Sequence, residues 1–130
     1  MTPIRYLGGD RYSIELNAGL TFLLLLVSSS TLCADESLFA THCATCHTID
    51  SSSPSRQGPT LEMIIGRPAG SVENFPYSQS LKDLDVLWNA ELLDRWLTNP
   101  QAMASDSYMF YKQPDPEIRA SIISFLMSLQ

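Results

Sequence analysis

The chain has 130 residues, a mass of 14.5 kDa, and eight Lys+Arg against fourteen Asp+Glu, a formal charge of −6. That balance, with a pI near 4.6, excludes a nucleic-acid binder, which needs a clustered basic face to meet phosphate. An apolar fraction of 45% excludes intrinsic disorder as a class, and the length suits one domain, or one domain plus an addition.

The addition shows first in chain order. Ala18 to Val27 reads AGLTFLLLLV, inside a charge-free stretch from Leu16 to Ala34. A membrane span wants about 20 apolar residues, and Ser28-Ser29-Ser30-Thr31 dilutes the second half of this one. Arg5 and Arg11 ahead of the apolar core, with small residues behind it, fit an export signal over residues 1–34, cut after Ala34. Asp10 and Glu15 cancel those arginines, so an uncleaved membrane anchor through residues 14–34 stays open as the alternative. Leu32 is too bulky ahead of Cys33 for a lipoprotein site. Both readings take the protein out of the cytoplasm, to the periplasm or to the membrane facing it.

Residues 35–130 form the second unit, 96 residues with six Lys+Arg and twelve Asp+Glu. A domain this small has a small core and often needs a metal, a disulfide or a cofactor. Cys43 and Cys46 lie too close in sequence for a bridge between them to constrain the chain. Asp35 is placed as the cap of a first helix, with Leu38 and Phe39 on its apolar face and both cysteines further along it. From Thr48 to Leu84, Pro54, Pro59, Pro68 and Pro76 with Gly58, Gly66 and Gly70 forbid a long helix, and no alternation predicts a sheet. Asn89 opens a second helix bearing Leu92, Leu93, Trp96 and Leu97, ended by Pro100. Asp115 and Pro116 read as N-cap and first residue of a last helix striped by Ile118, Ile122, Phe125 and Leu129. Asp83, Asp85, Glu91 and Asp94 read as a solvated helix face. The fold class is all-α, with three main short helices and roughly sixty irregular residues, a share of loop that requires a large apolar object to wrap.

Cys43-Ala44-Thr45-Cys46-His47 names that object. C-x-x-C-H is the attachment motif of a c-type haem. Residues three apart share one face of a helical turn, so both sulfurs can form thioethers to one porphyrin edge while His47 reaches the iron. A thioredoxin-type pair would follow a strand in a βαβ unit, and the chain has none. A zinc site needs separated ligand pairs, whereas the two histidines, His42 and His47, both lie beside the cysteines.

From Cys43 onward the chain resembles a class I cytochrome c of the mitochondrial and bacterial c2 type. The matching residues are Phe39, Cys43-x-x-Cys46-His47, Gly58-Pro59-x-Leu61, Gly66-Arg67-x-Ala69-Gly70, Phe75-x-Tyr77-Ser78, Trp88, Leu97-x-Asn99-Pro100 and Met109-Phe110. The intervals from Cys43 to Met109 match the mitochondrial type without a gap. The resemblance implies one covalent haem c, with His47 as proximal and Met109 as distal iron ligand. It implies that the Pro59 carbonyl orients His47, that Arg67, Tyr77 and Trp88 donate to a haem propionate, and that Phe39 meets Phe125 where the first and last helices cross. Met103 is the competing methionine, six residues upstream of Met109.

Three departures stand out. Ser105-Asp106 replaces the Pro-Gly turn ahead of the ligand methionine, so a positive φ at Asp106 would loosen the ligand loop. Met63 stands where the family favours glycine. The lysine ring of a mitochondrial-type docking face is missing, because residues 35–130 hold only Lys82 and Lys112. The resemblance therefore implies a monomeric one-electron carrier with no substrate chemistry, in a periplasmic or membrane-associated chain, docking on redox proteins with a basic or apolar face. The alternatives are a haem subunit of a dehydrogenase or reductase complex, and a haem sensor or small-ligand binder in which Met109 is displaced.

Overall fold

Five helices punctuate the chain in the computed structural model, which describes residues 32–130, with side chains from Glu36 onward. The signal or anchor expected over residues 1–34 lies outside the described residues except for its last three. Those three already belong to α1, Leu32–His42. Asp35 is therefore inside the helix and does not cap it, because no proline or glycine lies between Leu32 and Asp35 to stop the helix from starting earlier. Cys43 and Cys46 lie beyond the helix, which ends when the N–H groups of Cys43 and Ala44 both donate to the Phe39 carbonyl, at 2.8 and 3.1 Å. A further turn follows, closed by His47 N donating to Cys43 O at 2.9 Å.

Two single-turn helices went unforeseen. The first, α2, is Gln79–Lys82, a four-residue turn beyond the reach of periodicity arguments. After it comes α3, Ala90–Thr98, where the Asn89 side chain accepts from Leu92 N at 2.9 Å, as a cap should. Pro100 ends α3 and begins α4, Pro100–Met103. Asn99, ahead of a proline, is held extended at φ −161°, which breaks the helix, and the proline then sits where its missing N–H costs nothing. The last helix, α5, is Pro116–Ser128, and Asp115 accepts from the Glu117 and Ile118 N–H groups at 2.8 and 3.4 Å.

Among the described residues there is no β-strand, only an isolated antiparallel bridge between Pro68 and Leu87. No described helix is long and apolar enough to cross a membrane.

Helix packing makes one side of the domain. α5 packs on both α1 and α3, and the Phe39 and Phe125 rings meet with centroids 5.3 Å apart. Leu93, Trp96 and Leu97 of α3 join Ile122, Ile123 and Leu126 of α5 and Phe39 in one buried cluster. Asp94 is not simply solvated. Its carboxylate accepts from Arg119 Nε at 2.7 Å, and Arg119 also donates to the Gln113 and Pro114 carbonyls, both at 3.0 Å. The guanidinium thus fixes the entry to α5 against α3.

Phe39 is 4% exposed, so Phe39→Ala leaves a cavity at the α1–α5 crossing. The expected loss is about 3–5 kcal/mol, measured by denaturant unfolding of the haem-loaded protein.

Candidate haem site

The irregular chain from Cys43 to Trp88 and the buried faces of α3 and α5 enclose a cavity of about 370 Å³, a size within the range of small-molecule and cofactor sites. Cys43, Cys46 and His47 line it, with Gly58, Pro59 and Leu61, then Arg67, Tyr77 and Trp88, and finally Met109. The structure thus brings Cys43, Cys46, His47, Pro59, Arg67, Tyr77, Trp88 and Met109 to one cavity, whereas Phe39, Phe125, Gly66, Ala69, Asn99 and Pro100 lie outside its lining. Met63, Met103 and Met127 are not among its lining residues. Met63 instead points to solvent, 61% exposed, with φ +48°.

His47 is built for one task. Its Nδ1 lies 2.8 Å from the Pro59 carbonyl oxygen, which can only accept, so the ring proton sits on Nδ1 and the lone pair on Nε2. Burial lowers the pKa of His47; the Pro59 carbonyl pulls it upward, and the Arg67 charge adds to the lowering. Gly58 makes the approach possible. A Cβ there would lie 2.2 Å from His47 Cε1 and 2.7 Å from Nε2. Gly58 N in turn donates to Cys46 O at 2.8 Å, tying this segment to the cysteine turn.

Both cysteines are free thiols. Burial, with a smaller contribution from Cys46, pushes the Cys43 thiol up to about 11, while Cys46 Sγ donates to Gln57 Oε1 at 3.5 Å.

Met109 is held at three points. Trp96 Nε1 donates to its sulfur at 3.1 Å, Gln101 Nε2 to its carbonyl at 2.7 Å, and its own N–H donates to Ser107 Oγ at 3.2 Å. None of these partners was named as a site residue from the sequence, because each meets Met109 only through the fold.

The polar end of the cavity is more complex than the sequence suggested. Arg67 gives NH1 to the Glu62 carbonyl at 3.0 Å and NH2 to the Thr60 carbonyl at 2.7 Å. Burial lowers its pKa. The Tyr77 hydroxyl accepts from Val72 N at 3.4 Å, leaving its proton to donate elsewhere, and burial raises its pKa. Trp88 is buried and stands edge-on to Trp96 at 5.4 Å. Ser78 is a sequence landmark to which no role was assigned. It lines the cavity, is 3% exposed, and its Oγ has no hydrogen-bond partner. A buried hydroxyl left unpaired carries a cost. Its place beside Tyr77 in the Phe-x-Tyr-Ser run was the one signal that could have found it.

These residues fit a flat apolar group with a metal at its centre and acceptors at one edge. The thiols can form thioethers, and the His47 lone pair and Met109 sulfur can serve as metal donors.

Residues 36–130 match the family model for cytochrome c. The chain belongs to the cytochrome c family. It is similar to the cytochrome c of Sesamum indicum, 34% identical over 92 residues, which cover 70% of this chain and 83% of the relative. The cytochrome c of Ginkgo biloba is 34% identical over 94 residues (72% and 83%), and that of Chlamydomonas reinhardtii 34% over 96 residues (73% and 86%). Cytochromes c bind one covalent haem c with its iron, carry electrons between redox proteins, and are not enzymes. The expected periplasmic location is corrected by these relatives, which are plant and algal cytochromes c of the mitochondrial intermembrane space.

Gly58→Ala places its methyl group inside the His47 ring, so the ring must leave the Pro59 carbonyl or the backbone must move. Expression of this variant should yield little haem-loaded protein, and its absorbance should show altered axial ligation.

Proposed function

We propose that this protein is a one-electron carrier in which Cys43 and Cys46 hold the haem covalently and His47 and Met109 are its axial ligands. The haem supplies reversible one-electron oxidation and reduction of its iron. The observation that supports the reading best is the convergence of two thiols, one oriented imidazole and one hydrogen-bonded thioether on a single buried cavity.

Each side chain has a definable task. Pro59 keeps the Nδ1 proton of His47 in place, so that Nε2 stays a donor and the ring cannot turn. Trp96 is donor-only; by occupying one sulfur lone pair of Met109 it leaves the other to the metal and fixes the side chain's rotamer. A thioether ligand favours the reduced state relative to a second imidazole. Arg67, Tyr77, Trp88 and Ser78 line the cavity and would meet the carboxylates that the group brings into the interior, where an unpaired charge is costly. The apolar walls exclude water and keep the surroundings from reorganising as charge changes.

The docking face follows from exposure and charge. Tyr108 and Phe110, on either side of Met109, are 70% and 80% exposed. Large apolar side chains this exposed mark an interaction surface when they cluster. The chain's −6 charge steers it away from acidic partners, so its electron donors and acceptors present a basic or an apolar face. Second-order electron-transfer rates should fall with salt for a basic partner and rise for an acidic one, most steeply below 0.1 M, where the Debye length exceeds about 10 Å. A fall with the acidic partner would contradict the steering.

Axial ligation is tested by spectroscopy of the oxidised protein. Met109→Leu should abolish the weak thioether-to-iron band, and Met109→His should keep six-coordination while lowering the reduction potential. Met103→Leu should leave the spectrum unchanged. Loss of the band in Met103→Leu, with retention in Met109→Leu, would overturn the assignment.

A further inference from the structure

The loop ahead of Met109 was expected to suffer from an aspartate where the family has glycine. The structure shows otherwise. Among the described non-glycine residues, only Met63 and Asn74 have positive φ, so Asp106 carries no left-handed strain.

Its carboxylate reaches across to α2. Asp106 Oδ2 accepts from Gln79 N at 3.1 Å, and Oδ1 accepts from Ser80 N at 3.2 Å and from the Ser80 hydroxyl. Asp106 N returns a bond to Ser80 Oγ at 3.4 Å. The natural capping residue of that turn, Ser78, makes no side-chain cap. Its task falls to a side chain 26 and 27 positions away. The Ser80 hydroxyl, above all, holds the Asp106 pKa below the usual carboxylate range, so the ionised form persists at neutral pH.

These bonds join two walls of the cavity. Tyr77, Ser78 and Leu81 line it from one segment, and Ser107, Tyr108 and Met109 from the other. The connection from Asp106 to the sulfur is short. The next residue, Ser107, donates its N–H to Ala104 O at 3.0 Å and accepts from Met109 N through its hydroxyl. A segment fixed at Asp106 and at Ser107 gives the Met109 backbone little room to swing outward.

We propose that Asp106 is a positioning residue for the distal ligand: it latches the Met109 segment to the α2 wall and slows the release of Met109 from the metal. The inference rests on Met109 being the distal ligand. It also makes the replacement of the family's Pro-Gly by Ser105-Asp106 an exchange of backbone rigidity for a charged side-chain tie.

The experiment uses the full haem-loaded protein and imidazole as an external competing ligand. The rate at which imidazole abolishes the thioether-to-iron band is compared in wild type, Asp106→Ala, Asp106→Asn, Ser80→Ala and the Asp106→Ala/Ser80→Ala pair. Asp106→Ala removes all three bonds to the carboxylate, and displacement should speed up by at least about tenfold, the factor expected for a single hydrogen bond to a charged group. Asp106→Asn, which keeps one acceptor oxygen, should fall between it and wild type, and the double variant should exceed Asp106→Ala by much less than the sum of the two single effects. If Asp106→Ala does not fold, the Ser80→Ala and Asp106→Asn rates decide. Unchanged displacement rates with a lowered unfolding midpoint would overturn the inference and leave Asp106 merely structural. Met109→Leu, measured in parallel, separates the two failures. If it keeps the band, the ligand assignment falls and this inference with it; if it loses the band while Asp106 variants behave as wild type, only the latch falls.

Discussion

The helices and the irregular chain of this domain meet at one cavity, and both supply its walls. α2, α3 and α5 contribute Leu81, Leu93, Trp96, Leu97, Ile122 and Leu126, while the loops contribute Ile64, Pro68 and Trp88. A folded chain cannot keep so large an apolar surface apart from a partner group, because burying that surface is what offsets the entropy of ordering the loops. The covalently held haem of the family is the natural occupant. In this view the cofactor completes the core as well as performing the chemistry. The proline- and glycine-rich stretch, unable to build a long helix or a sheet, can then follow the surface of a rigid group.

Rigidity at the two proposed metal donors comes from small, separate devices. On the His47 side, the absence of a Cβ at Gly58 lets the backbone approach the ring, and the Pro59 carbonyl sets its tautomer. On the Met109 side, sulfur, carbonyl and amide are each engaged, by Trp96, Gln101 and Ser107, and Asp106 ties the segment to α2. Fixed donors matter because an electron carrier works fastest when its ligand set barely changes between oxidation states. The same fixity keeps outside ligands away.

Much of this was legible in the chain because it is local. The Asn89 cap and the Asp115-Pro116 start each operate within a few residues, and the structure has them where the pattern put them, whereas the C-x-x-C-H turn follows the first helix instead of continuing it. Most of the spaced landmarks from Gly58 to Met109 likewise led to one cavity. What escaped is either too short or too distant. α2 and α4 are single turns, with no period to detect, and α1 runs past Asp35 because nothing before it breaks a helix. The Asp94–Arg119 pair, the Trp96–Met109 bond and the Asp106–Ser80 tie span 25, 13 and 26 positions. No sequence rule couples residues so far apart. Ser78 was visible as a landmark, yet its unpaired hydroxyl is a property of burial alone.

The central claim, that the haem is part of the core, is tested most directly by preventing its attachment. Far-ultraviolet circular dichroism of the Cys43→Ala/Cys46→Ala chain, prepared without haem, reads the helix content that the polypeptide sustains alone. A core that depends on haem leaves this chain largely unfolded, with no cooperative thermal transition. A stable, helical double variant melting cooperatively without haem would contradict the claim.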